Sequence, residues 1–159
     1  MATPKQRAAA AAALATIIAI PAEGIRQIAY YDPPGILTVC YGHTGADVVA
    51  KRLYSMDECR ALLTADMQHA VATVERCVPG LPVPVLAAFA DAVFNLGPSL
   101  VCSRASSTAA RMLYAGDLFG ACNQLPRWDK ARLAGVMVSL PGLTKRRAAE
   151  RALCMTGVL

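Results

Sequence analysis

Apolar residues run without a charge from Ala8 to Ala22, break into short stretches between turn-formers, and then recur at helical spacing toward the C-terminus. Ile25, Ile28 and Ala29 follow Glu23 at spacings of three and four, so a helix is expected to contain Glu23 and to end at Asp32-Pro33-Pro34-Gly35. Ile36 to Tyr41 is β-branched and aromatic, and Gly42 and Gly45 bracket the turn after it, which predicts a small hairpin. Ser55-Met-Asp-Glu58 has the form of a capping box and opens a helix running toward Cys77, ended by Pro79-Gly80 and Pro82. Val85 to Leu96 is almost wholly apolar, which predicts a buried helix stopped at Gly97. Further helices are expected at about Ser107–Ala115, Asp117–Leu125, Lys130–Val138 and Thr144–Thr156, with glycines or prolines between them. The fold class is therefore α+β, a small hairpin lobe followed by a larger helical lobe.

The chain has 159 residues, 55% of them apolar and 17% charged, with a mean hydropathy of +0.39. That length suits one domain burying roughly two-thirds of its unfolded surface. The apolar content excludes intrinsic disorder, and a single charge-free stretch excludes a multi-span membrane protein. The stretch itself is short. Fifteen helical residues cover about 22 Å, less than a hydrocarbon core of about 30 Å. Only Leu14, Ile17, Ile18 and Ile20 insert favourably, at about −0.3 to −0.6 kcal/mol each. Lys5 and Arg7 precede it and favour an N-terminus left inside. Three readings stand: a signal peptide cut after Ala22, an alanine-rich helix packed on the domain, or a weak uncleaved signal-anchor.

Sixteen Lys and Arg against eleven Asp and Glu give a net charge of +5, which draws the chain toward a polyanion. Aromatic residues, at 6%, are too few and too scattered for a single-strand nucleic-acid platform. Six cysteines (Cys40, Cys59, Cys77, Cys102, Cys122, Cys154) form no C-x-x-C pair, and His43 and His69 do not complete a zinc site. No metal or cofactor is expected. In an oxidising compartment the cysteines would pair, and six of them permit fifteen pairings.

Glu23 and Asp32 are the carboxyls that carry candidate chemistry. Glycosidic cleavage needs one protonated carboxyl for the leaving oxygen and one ionised carboxyl to activate water or stabilise the oxocarbenium-like transition state. Glu23, eight residues, Asp32, five residues, then Thr38 resembles the hallmark of the phage endolysins of glycoside hydrolase family 24. Glu23-Gly24, Ala29-Tyr30, the Asp32–Gly35 turn and Tyr41–Thr44 look like the same family. So do Phe94–Gly97, Ser106–Thr108, Gly116-Asp117, Gly120-Ala121, Gln124–Trp128 and Gly142–Arg151, which extends the resemblance over roughly residues 23 to 157. It implies a lysozyme-like fold and a muramidase with Glu23 as general acid, Asp32 positioning the attacking water, and Thr38 holding it. His43 and Asn95 are candidates for substrate contact. His43 also suits a structural role orienting the hairpin, Asn95 a capping role, and His69 an exposed helix face. Asp129–Gly135 replaces a glycine-rich loop often found in such proteins, which leaves the far cleft wall open.

The resemblance also implies export, because peptidoglycan lies outside the inner membrane. Cys40–Cys59, Cys77–Cys102 and Cys122–Cys154 are then the favoured pairs, the last two resembling pairings in related exported endolysins. Cutting after Ala22 would leave Glu23 on a frayed terminus, so residues 1–22 look like a signal-anchor-release segment ahead of a catalytic domain at 23–159. The expected partners are peptidoglycan and, through residues 8–22, the host inner membrane before release to the periplasm. No nucleic acid is expected, and the chain is expected to act as a monomer. A lytic transglycosylase, which needs no water-activating Asp, and an inactive wall-binding module are the alternatives.

Overall fold

Thr3 sets the start of the first helix, and it does so ahead of the apolar run. Its hydroxyl accepts from Gln6 N–H while the Gln6 side chain accepts from Thr3 N–H, a reciprocal cap followed by Pro4 at the first helical position. In the computed structural model, which describes residues 1–158, this helix is α1 (Pro4–Glu23). It seats Ala11, Ala12, Ala15 and Ala19 against the body while Ile17 (68% exposed) and Ile20 (41%) face out. Among the described residues no helix is long and apolar enough to cross a membrane.

Glu23 is the last residue of α1. The helix stops there because Gly24 takes φ +64°, a left-handed conformation that breaks the hydrogen-bond ladder. The expected helix through Ile25, Ile28 and Ala29 does not form. Those residues lie in or beside strand β1 (Arg26–Tyr31), which pairs antiparallel with β2 (Leu37–Cys40), itself paired with β3 (His43–Thr44). The register runs from Arg26↔Cys40 to Tyr30↔Thr38, so β1 spends four residues where β2 spends two. The surplus is a bulge, which bends β1 and sharpens its twist. An i, i+3, i+4 apolar pattern is shared by a helix and a bulged strand, and here the pairing with β2 decides. The hairpin lobe is thus a three-stranded sheet.

The helical lobe follows the expected boundaries closely up to Trp128. Ser55 and Glu58 form the capping box of α2 (Met56–Cys77). α3 (Val83–Leu96) starts two residues earlier than expected, with proline at its first turn, and ends at Gly97. It is the core of the domain: Val85 to Val93 are all 6% exposed or less, and α1, α2 and the helix at Pro141–Thr156 pack around it. Short helices α4 (Ser99–Cys102), α5 (Thr108–Tyr114) and α6 (Leu118–Gln124) lead into a 3-10 turn at Leu125–Trp128. α7 (Pro141–Thr156) closes the chain against α3.

The helix expected at Lys130–Val138 is instead a hairpin, β4 (Lys130–Leu133) and β5 (Val136–Ser139). Ala134 and Gly135 both have positive φ, +48° and +81°, the two-residue turn whose twist matches an antiparallel ribbon. Val136 and Val138 favour strand, and the ribbon stands on Asp129, which accepts from Thr144 Oγ1 at 2.9 Å. Three disulfides brace the fold. Cys40–Cys59 joins β2 to α2, Cys77–Cys102 joins the end of α2 to α4, and Cys122–Cys154 joins α6 to α7.

Candidate active site

Glu23 is carried to its position by the end of α1 and held there from the far end of the chain. Arg146 Nη1 donates to Glu23 Oε1 at 2.5 Å, and the Glu23 side chain keeps 22% of its surface exposed. Arg146 is itself gripped by Asp91, with Nε and Nη2 donating to the two carboxylate oxygens at 2.9 and 2.8 Å. Asp91 is fully buried within α3, an acid in a nearly all-apolar helix. Burial opposes the charge on Arg146, but Asp91 and then Glu23 outweigh it and raise its pKa further above the ordinary range. On the other side of Glu23 lies Gly42: a Cβ built there would meet Glu23 Oε2 at 3.4 Å. The sheet therefore approaches the acid with bare backbone.

Asp32 sits at the opposite end of the sheet, on the turn between β1 and β2. Ile36 N–H donates to Asp32 Oδ1 at 2.8 Å, which fixes the carboxylate and leaves Oδ2 facing Thr38. Thr38 Oγ1 lies 3.4 Å from that oxygen and donates more closely to the Ile36 carbonyl at 3.0 Å. Thr38 is buried and pairs with Thr44 across β2 and β3. Gly42 and Thr38 are four residues apart on one strand and its turn, a span of at most about 14 Å. The acid at Gly42 and the carboxylate at Thr38 thus face the same short stretch of sheet. A cleft of about 260 Å³ adjoins it at Gly42, lined also by Thr44, Asp66, His69, Val93 and Phe94, and Glu23, Asp32 and Thr38 lie outside that lining.

A family model described as phage lysozyme matches residues 21–150. The chain belongs to the phage lysozyme family. As a member it is a lysozyme-type glycoside hydrolase that degrades peptidoglycan. It is 37% identical over 136 residues to the SAR-endolysin of bacteriophage PS119, covering 85% of this chain and 77% of that one. Its fold matches the active form of P1 phage endolysin Lyz with a TM-score of 0.75 at 25% identity, over 92% of this chain and 85% of that one. Against the secreted inactive form of the same endolysin the TM-score is 0.53 at 25% identity, over 72% of this chain and 78% of that one.

Behind Glu23 the fold gathers residues that sequence reading did not single out. Asp91, Arg146, Arg147 and Glu150 form one buried charged cluster behind Glu23. Arg147 donates to Glu150 at 2.6 Å and to Asn95 at 2.9 Å, so Asn95 is turned toward the cluster from the last turn of α3. Burial pushes the Glu150 carboxyl up to about 10, and the neighbouring Asp91 adds to the effect. Its signal in the chain was Asp91 itself, a lone acid in a nearly all-apolar helix.

His43 is held between two carboxylates, Nδ1 at 2.8 Å from Asp66 on α2 and Nε2 at 3.1 Å from Asp47. His69 is exposed on α2, at the cleft rim. Burial of His43 lowers its pKa, but the hydrogen bonds it makes to Asp66 and Asp47 together outweigh this and raise it above the ordinary value. A raised folded pKa stabilises fully below the unfolded value of about 6.5, and the contribution disappears as pH climbs through the folded value. The His43–Asp66 bridge between sheet and α2 is therefore expected to weaken on the alkaline side. Denaturant unfolding from about pH 6 to 9 should show stability falling, and Asp66→Asn should flatten that fall. An unchanged slope in the variant would place the effect elsewhere.

Proposed function

We propose that the chain hydrolyses the β-1,4 bond between N-acetylmuramic acid and N-acetylglucosamine with inversion, Glu23 acting as general acid and Asp32 with Thr38 directing water. The observation that carries this reading is the contrast between the two carboxyls. Glu23 is partly buried against Arg146 and bare backbone, whereas Asp32 lies on a turn with one oxygen tied to Ile36 N–H. In the reaction the glycosidic bond breaks with its electron pair on the leaving oxygen, which takes the proton of Glu23. Water attacks the anomeric carbon from the opposite face and gives its proton to Asp32. Arg146 then faces the Glu23 carboxylate that remains.

The same reading extends to residues 8–22 as a weak signal-anchor. In the proposed sequence the segment holds the chain at the host inner membrane, N-terminus inside, with Glu23 drawn away from Arg146. Release lets α1 seat on the domain in the periplasm and brings Glu23 home. Support comes from the endpoint: α1 ends on Glu23, and the seated form resembles the active more than the secreted inactive P1 endolysin. The alanine-rich, short and marginally apolar composition suits a segment that leaves a bilayer easily. Fractionating expressing cells before and after an uncoupler, with product analysis of digested peptidoglycan, tests both parts. Activity is expected to appear only after the uncoupler, with reducing N-acetylmuramic acid ends. Full activity in an untouched membrane fraction, or a mature protein starting at Glu23, sinks the tether; 1,6-anhydro ends sink hydrolysis in favour of a transglycosylase.

A further inference from the structure

We propose that Asp91 is a positioning residue for Glu23, acting through Arg146: it fixes which guanidinium nitrogen reaches the acid and offsets the charge of that cation. The inference rests on Glu23 being the general acid. An arginine bonded to a general acid poses a chemical problem, because a full positive charge favours the ionised form, which has no proton to give. The structure answers it with a third group. Asp91 is fully buried, takes Nε and Nη2 of Arg146 in a two-pronged bond, and leaves only Nη1 for Glu23. The planar fork makes that choice rigid.

The groups around Glu23 set the charge balance. From α7 come Arg146, Arg147 and Glu150; from α3, Asp91; from the β2–β3 turn, the uncharged Gly42. Arg146 brings its positive charge against Glu23, and Asp91, bonded to two nitrogens of the same guanidinium, offsets that charge. Asp91 thus offsets the cation that contacts Glu23, and it does so from a fully buried position behind it.

The test is the pH dependence of kcat/KM on purified peptidoglycan fragments. Activity falls on the alkaline side as Glu23 loses its proton. Asp91→Asn removes one negative charge at nearly constant shape, so this limb should move to lower pH by about one unit or more. Arg146→Gln removes the cation, should move the limb to higher pH, and serves if Asp91→Asn does not fold. A merely structural Asp91 would lower the rate at every pH with the limb unmoved, and that result, or an unmoved limb in Arg146→Gln, overturns the proposal. A Glu23→Gln variant with wild-type activity would instead overturn the reading on which it rests.

Discussion

Glu23→Gln is expected to slow clearing of purified cell walls by about 10²–10⁴-fold, the range a positioned general acid contributes. The substitution is nearly isosteric. A glutamine carbonyl at position 23 still accepts from Arg146 Nη1, and α1 still ends at Gly24, so the geometry around the site is preserved. What is lost is the one proton the leaving oxygen needs. Because Glu23 is 22% exposed rather than sealed, the fold should tolerate the change, and the thermal midpoint should stay close to wild type. Turbidity loss of purified cell walls, followed beside thermal unfolding, reads both. Clearing at the wild-type rate would remove Glu23 from the chemistry, and a collapse of the midpoint would assign it to structure.

Loss of a disulfide should produce the largest change in stability. The bridges close segments with sequence separations of 19, 25 and 32 residues. In the chain-entropy model each such loop stabilises by about 3–4 kcal/mol. Together they amount to about 10 kcal/mol, comparable with the whole stability of an ordinary domain. Replacing Cys122 and Cys154 by alanine is therefore expected to lower the melting temperature by roughly 6–16 °C. Full reduction should bring the chain to the edge of unfolding. Circular dichroism melts with and without reductant check this, and a reduced form with an unshifted midpoint would contradict it. The physical corollary is that chain kept in a reducing compartment would lack most of its margin.

Much of the helical lobe was legible because its signals are local. Ser55 and Glu58 cap α2 across three residues, and Gly97 ends α3 through its own backbone freedom, φ +96°. Glu23, Asp32 and Thr38 lie within sixteen residues, so their spacing could be read directly. The two misread segments failed for one reason. Ile25, Ile28 and Ala29, and likewise Lys130–Val138, have apolar spacings compatible with either a helix or a strand. A partner strand decided in each case: β2 for β1, and β5 for β4 across Ala134-Gly135. The cluster behind the acid was beyond local reading. Arg146 meets Asp91 from 55 residues away and Glu23 from 123, and only the folded chain brings the three together.

The seat of α1 has a consequence for timing. Its fully buried residues are all alanine, one methyl each, so at about 0.8 kcal/mol per buried carbon the four contribute only about 3 kcal/mol, to which half-buried Leu14 adds. Two of its larger residues, Ile17 and Ile20, point away from the protein, where a lipid environment would welcome them. A helix built this way has two competing homes separated by a small free-energy difference. Under the proposed tether, a modest change in the membrane is enough to tip it. The delay before lysis would then be written in the difference between two small numbers, tunable by single methyl groups on either face.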